Sequence, residues 1–229
     1  MTKTFGLAGC ALATLLMLSP TPAGAKGKWV VLFDGRSTDA WRCYNRDSFP
    51  DKGWKVEGGA LKTVVGPDRC DLITKEKYQD FELEVEWRVS PGGNSGIFYH
   101  VAEGPPNSFE TGPEMQVLDD ERHRDGSEPK TSAGALYGLI APTNKTLRPV
   151  GEFNKARLVV RGGRVEHWLN GRKIVEYDLN SDSLKALIAA SKFKEMPRFA
   201  QERSGHIALQ HHGEEVWFRK VRVRRLDGE

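Results

Sequence analysis

The chain has 229 residues, 34 of them basic and 31 acidic, with a formal charge of +3 and 38% hydrophobic residues. So even a balance excludes the clustered basic footprint of a nucleic-acid binder, and the three cysteines fall in no zinc-like spacing. The length suits one sizeable core, of the kind that all-β sandwiches build as a single unit.

The chain opens with a segment that reads as a signal peptide over residues 1–25. Lys3 supplies the positive start, Phe5 to Leu18 the apolar run, and Ala23-Gly24-Ala25 a small-residue cleavage site. The run is too short for a membrane-spanning helix, so no transmembrane segment is expected. Leu7-Ala8-Gly9-Cys10 spells a lipoprotein box, but its apolar stretch follows rather than precedes it, which argues against anchoring at Cys10. The expectation is export to the periplasm or beyond, leaving residues 26–229 as a single domain. Cys43 and Cys70 then remain, and can pair in an oxidising compartment if their backbones approach closely enough.

Period-2 alternation dominates the remainder of the chain. Trp54 to Lys62 reads as a hairpin around Gly58-Gly59. In Phe81-Glu82-Leu83-Glu84-Val85-Glu86-Trp87-Arg88-Val89 every odd position is apolar and every even one charged, which predicts a strand with one buried and one wet face. Glu103 to Pro113 and Asp119 to Ser132 are long irregular stretches, where sites on β scaffolds are usually built. Leu158 to Trp168 repeats the hairpin pattern around Gly162-Gly163, and Asn170-Gly171 turns into Lys173 to Tyr177. One short helix is predicted near 182–191, with Asp182 as its cap. Ile207 to Gln210 and Val216 to Val223 read as a closing hairpin, and the basic residues from Arg219 to Arg225 as the wet face of an edge strand. Many short strands and Gly-rich turns imply an all-β sandwich or jelly roll.

Several polar residues have both a chemical and a plain structural reading. Glu82, Glu84 and Glu86 share one strand face, either as a repelling carboxylate cluster or as a solvated face opposite basic residues. Glu114 and Gln116 share another face, with Asp119 beyond and His123 in the polar loop. His100 and His206 can face a site or end a strand; His167 can be catalytic or a satisfied structural histidine. His211 and His212 point to opposite faces, so one at most faces a site easily. Asn94 and Ser95 lie between glycines, and Asn94 can meet a sugar hydroxyl or hold its turn. Tyr137 and Trp168 can stack on sugar or pack in the core.

In order along the chain stand Val31-Leu32-Phe33-Asp34-Gly35, Asp80-Phe81-Glu82-Leu83, Gly93-Asn94-Ser95-Gly96-Ile97-Phe98, Gly112-Pro113-Glu114-Met115-Gln116-Val117-Leu118-Asp119 and Gly134-Ala135-Leu136-Tyr137. They are followed by Gly151-Glu152-Phe153-Asn154, Glu166-His167-Trp168-Leu169-Asn170-Gly171, Ser191-Lys192-Phe193 and Gly205-His206-Ile207-Ala208-Leu209-Gln210. This series resembles the 3-keto-disaccharide hydrolase domain family from about Trp29 to Leu226. The resemblance implies a concanavalin A-like jelly roll of two antiparallel sheets, and action on glycosides already oxidised to a ketone at carbon 3. It departs from the family at His211, where aspartate is frequent, and at Lys220, where asparagine is.

A 3-keto group acidifies the hydrogen on carbon 2 and places the glycosidic oxygen β to the carbonyl. Cleavage can then run by proton abstraction, elimination and water addition, given a base, an acid and positive charge at the enolate. The expected catalytic residues are Glu114, His212 (at the family's histidine position), Glu86 and His167. Those expected to bind the small carbohydrate or glycoside substrate are Asn94, Gln116, Asp119, His123, Tyr137, Asn154 and Lys192. No cofactor is certain; a divalent metal ion is a candidate Lewis acid without a metal-spacing motif to place it. The rivals are a non-catalytic sugar-binding module and a laminarinase-type glycosidase, which Glu82-Leu83-Glu84-Val85-Glu86 imitates. The oligomeric state stays open.

Overall fold

The computed structural model describes residues 1–2 and 27–226, so the signal-peptide reading lies almost wholly outside the described residues. Thirteen strands and one α-helix follow in chain order: β1 (Val30–Phe33), β2 (Trp41–Cys43), β3 (Trp54–Glu57), β4 (Ala60–Thr63), β5 (Leu72–Thr74), β6 (Phe81–Val89), β7 (Asn94–Val101), β8 (Glu114–Leu118), β9 (Asn154–Arg161), β10 (Arg164–Leu169), β11 (Arg172–Asp178), α1 (Asp182–Ala189), β12 (His206–Leu209) and β13 (Val216–Arg225). They form two antiparallel sheets. The larger runs β11-β10-β9-β6-β13-β4-β3 with β1 also on β13; the smaller runs β2-β5-β12-β7-β8.

The turns form where the glycines predict them. Gly58-Gly59 and Gly162-Gly163 all have positive φ, as does Asn170-Gly171, the backbone that tight hairpins need. The helix cap lies one residue earlier than expected: Ser181 Oγ accepts from the Leu184 amide at 3.2 Å, and Asp182 is the first helical residue. A hydroxyl there satisfies a first-turn amide and leaves the carboxylate to favour the helix dipole.

Alternation in β6 sends Phe81, Leu83, Val85, Trp87 and Val89 into the space between the sheets, where they meet Ile97, Tyr99, Met115 and Val117 of the smaller sheet. Burying each large side chain contributes about 1.5–3 kcal/mol, making this layer the main stabilising feature. The smaller sheet is covered on its outer face too: Tyr44, Ile73, Phe98, Val101 and Ala208 form a second cluster there, with Phe109 of the irregular 103–113 stretch against it. Two-sided cover explains why all eight residues of β7, Asn94 and Ser95 included, are buried.

Two expectations are corrected. β12 and β13 do not form a closing hairpin, because they belong to different sheets and residues 210–215 cross between them. β13 is also no edge strand. It lies between β6 and β4, and its basic residues face the glutamates of β6. Arg157 and Arg224 hold Glu82, Lys155 and Arg222 hold Glu84, and Arg219 and Lys220 hold Glu86. Burial pulls the Glu82 carboxyl upward, but its two arginines together keep it below the usual carboxylate range. The glutamate row is therefore a paired ionic face, without the free carboxylates a laminarinase mechanism needs.

Candidate functional site

The site assembles on the outer face of the smaller sheet. β7 and β8 pair with Gly96 opposite Gln116 and Phe98 opposite Glu114. The Glu114 carboxyl lies across Gly96, so that a Cβ added there would stand 2.7 Å from its Cδ. Only a glycine lets the side chain take this position. Glu114 is 8% exposed, and its carboxyl makes no side-chain hydrogen bond among the described residues. Burial raises its pKa to about 8; Lys192 pulls the other way, while Asp71 and Asp125 add to the rise. At neutral pH the group holds its proton, as a general acid must.

On the far side of Gly96, its carbonyl accepts from the Gln210 amide at 3.0 Å. This hydrogen bond aims the crossing segment, and His211 and His212 follow. The His211 amide donates to Asp71 Oδ1 at 2.8 Å, while its ring turns to the Val64 carbonyl and packs edge-on to Trp54. The His212 ring is exposed, with Nδ1 2.8 Å from Glu214 Oε2. A carboxylate only accepts, so His212 Nδ1 is the donor, and in the neutral imidazole Nε2 presents the lone pair. That is the orientation of a general base.

The polar loop closes a third side. His123 caps the short 3-10 turn Arg124–Ser127, its Nδ1 accepting from the Asp125 amide at 3.1 Å. Its ring lies 6.0 Å from that of His212, edge to face, and its Nε2 is 3.4 Å from Asn94 Nδ2. Asn94 Oδ1 is buried without a partner among the described residues. Tyr137 donates its amide to the Glu114 carbonyl at 3.1 Å and its hydroxyl to Asp125 at 3.2 Å. Lys192 Nζ stands 4.5 Å above the Tyr137 ring. Gln116 is tied by its Nε2 to the Thr131 carbonyl at 3.2 Å.

Glu114, Gln116, Asn94, His123, Tyr137, Lys192 and His212 thus meet around one face, and four other expected site residues do not. Glu86 is on the outer face of the larger sheet, paired with Arg219 and Lys220. His167 points into the core, between the Gly134 carbonyl at 3.0 Å and Tyr99 Oη at 3.2 Å, and burial depresses its pKa to about 4. Asn154 accepts from the Arg148 amide at 2.9 Å and from Asn170 Nδ2 at 2.8 Å, holding a loop of the larger sheet. Asp119 uses both oxygens on the amides of Gly92, Glu121 and Arg122. His100 and His206 bond the Gln79 and Thr74 carbonyls, each at 2.7 Å.

Sequence reasoning missed Asp71 and Glu214. Asp71 takes hydrogen bonds from Ser108 Oγ and the His211 amide, and burial pushes its pKa up. Nothing local marks it. Glu214 was accessible in principle, as a carboxylate two residues beyond a histidine across a glycine turn. His123, His212 and Glu214 also bring ligand atoms within 4.8 Å of one another. Two imidazoles and a carboxylate are a donor set that suits a divalent transition metal.

Two antiparallel sheets with a polar outer face on the smaller one define a jelly roll of the galectin-like kind. A galectin-like protein of unknown function from Bacillus subtilis superimposes with a TM-score of 0.56 at 12% identity, covering 89% of this chain and 97% of that one, which speaks for the fold alone. Residues 28–224 match the 3-keto-alpha-glucoside-1,2-lyase-like domain, and the chain belongs to that family. A 3-keto-disaccharide hydrolase of Bacteroides thetaiotaomicron is 35% identical, over 90% of this chain and 81% of its own length. A crystal structure of a Parabacteroides distasonis protein, inferred to be a glycosyl hydrolase, superimposes with a TM-score of 0.80 at 32% identity, covering 88% of this chain and 94% of that one.

Proposed function

We propose that the protein cleaves glycosides whose sugar carries a ketone at carbon 3, with His212 as base and Glu114 as acid. His212 Nε2 takes the proton from carbon 2, leaving an enolate conjugated to the 3-keto group. The bond from carbon 1 to the glycosidic oxygen then breaks. Glu114 gives its proton to the departing oxygen, so the aglycone leaves as a neutral alcohol. Water adding across the new double bond completes a net hydrolysis: its hydroxyl goes to carbon 1, its proton restores Glu114, and His212 returns its proton to carbon 2. The Lys192 ammonium offers positive charge on the same face, and Asn94 Oδ1 offers an acceptor for a sugar hydroxyl.

One observation carries this reading. A carboxyl that burial keeps protonated near neutral pH lies across Gly96, and the segment bonded to the Gly96 carbonyl through Gln210 carries, two residues on, an imidazole hydrogen-bonded to a carboxylate. A protonated acid and a base within reach of neighbouring carbons are what elimination across them requires. The names of the family and of its B. thetaiotaomicron relative support the substrate class. We further propose that the enzyme works after export, which the Cys43–Cys70 disulfide supports.

A second reading concerns metal. His123, His212 and Glu214 would hold a divalent ion, which would supply Lewis-acid polarisation of the ketone. It competes with the first for His212.

The test is residues 26–229 with a 3-keto glucoside and its unoxidised parent, each bearing a chromophoric aglycone, with and without chelator. Release from the keto compound alone supports elimination. Loss on chelation, restored by added divalent ion, favours the metal reading of the trio. Release from both compounds points to an ordinary glycosidase, and release from neither to a binding module.

A further inference from the structure

A cleft of about 430 Å³ opens beside His212, and no step of the proposed cleavage uses it. Tyr44 and Phe109 contribute apolar surface to it, Asp71 lies in its wall, and Arg46 and Arg69 line it. We propose that this cleft is the aglycone subsite, and that Arg46 and Arg69 select an aglycone bearing a carboxylate. The inference rests on the cleavage reading, because it takes the aglycone to run from the oxygen that Glu114 protonates past Asp71, whose charge acts on Glu114, into the cleft.

Charge is the first argument. On the larger sheet Arg157, Arg219, Arg222 and Arg224 are each tied to a glutamate. Arg46 and Arg69 are exposed and have no carboxylate partner among the described residues. The one acid lining the cleft, Asp71, is already engaged by hydrogen bonds from Ser108 Oγ and the His211 amide and pairs with neither arginine. The same two arginines also line an adjoining polar cleft, where Lys52 faces Asp51 and Asp68 and the balance stays positive.

Position is the second. Arg69 reaches the His212 carbonyl at 3.4 Å and the Gly66 carbonyl at 3.2 Å. Its Cζ would stand 3.1 Å from a Cβ on Gly213, so the guanidinium lies against the turn that carries the base. Those bonds use Nε and Nη1 and leave Nη2 for a ligand carboxylate, which a guanidinium holds by charge-assisted hydrogen bonds.

Preorganisation is the third. Arg46 lies three residues after Cys43, and Arg69 directly precedes Cys70. The disulfide holds these cysteines with Cα atoms 5.7 Å apart. It thereby ties together the two segments that carry the arginines, which lowers the ordering cost of binding between them.

The test compares 3-keto glucosides of 4-hydroxybenzoate and 4-hydroxybenzamide, aglycones of nearly equal size that differ in charge. The ratio of kcat/KM should favour the carboxylate by about tenfold, the effect of one good charge-assisted hydrogen bond. It should fall with ionic strength, drop toward one in Arg46→Gln and Arg69→Gln, and hold in Arg172→Gln at the start of β11. Calorimetry with 4-hydroxybenzoate and 4-hydroxybenzamide themselves gives a readout without turnover. Selective binding of the benzoate that both variants lose, with neither glucoside cleaved, would uphold the subsite and sink the cleavage reading. Equal turnover and equal binding of the two would sink the subsite and leave cleavage standing. Binding of neither compound, with no preference in turnover, would also overturn it.

Discussion

The Glu114 carboxyl occupies the space that a side chain on Gly96 would take, with Cγ 2.9 Å and Cδ 2.7 Å from the position of an added Cβ. The acid's position therefore depends on a residue of the neighbouring strand that has no chemistry of its own. Gly96→Ala should displace the carboxyl while leaving β7 paired with β8. We expect turnover of the 3-keto glucoside to fall about 100-fold, as for loss of a general acid, with the far-UV circular dichroism unchanged. Full activity in Gly96→Ala would remove Glu114 from the acid role.

Burial of Glu114 also ties stability to pH. In the folded protein its pKa is about 8, against an ordinary value of 4.5. The unfolded chain therefore gives up this proton first as pH rises. The group's stabilising contribution is fully present below about pH 4.5 and is lost as pH rises through about 8. Glu114→Gln has no such dependence. Its stability relative to the wild type should climb by about 1.4 kcal/mol per pH unit across that window, measured by denaturant unfolding. A flat difference would mean that the carboxyl is not shifted.

Glu214 orients His212 through a 2.8 Å hydrogen bond. Glu214→Gln keeps the size of the side chain but can present its amide to Nδ1, which favours the wrong tautomer. Turnover should drop roughly 10- to 100-fold, the usual cost of losing an orienting partner, with KM little changed. His212→Ala should abolish turnover. If chelation silences the wild type and added divalent ion restores it, the loss in Glu214→Gln should instead track metal affinity.

The ionic face of the larger sheet should matter for stability alone. Glu82 is 3% exposed and held by Arg157 and Arg224. Glu82→Gln leaves two arginines without their shared carboxylate and should cost about 3 kcal/mol, read by chemical denaturation. Cleavage of the 3-keto glucoside should persist at a temperature where the variant is folded. A specific loss of turnover in folded Glu82→Gln would revive the glutamate row as a catalytic element.

The larger sheet was legible because alternation and glycine pairs are local signals. Phe81 to Val89 announced its buried and wet faces, and Gly58-Gly59 and Gly162-Gly163 announced their turns. The order of the sheets was not legible. Nothing in Gln210 to Glu215 says that the chain crosses between layers instead of turning back, so β13 reads as an edge when it is central. The site divides in the same way. Residues clustered in the loop and strand motifs, such as Glu114, Asn94 and His123, could be named from sequence. His167 could not be separated from them, because its role depends on Tyr99 and Gly134, both distant in sequence. Asp71 was missed for the same reason, since its partners Ser108 and His211 come from two other segments.

The placement of β13 bears on how the chain comes into being. It follows every other described strand in the chain, yet β1, β4 and β6 all pair with it. Until it arrives, β6 and β4 lack their shared neighbour and the larger sheet is split into β11-β10-β9-β6, the β3-β4 hairpin and an unpaired β1, with open edges. The nascent protein thus cannot close its larger layer early. Closing the larger layer therefore waits on long-range pairings of β13 with β1, β4 and β6, the kind of contact that slows folding.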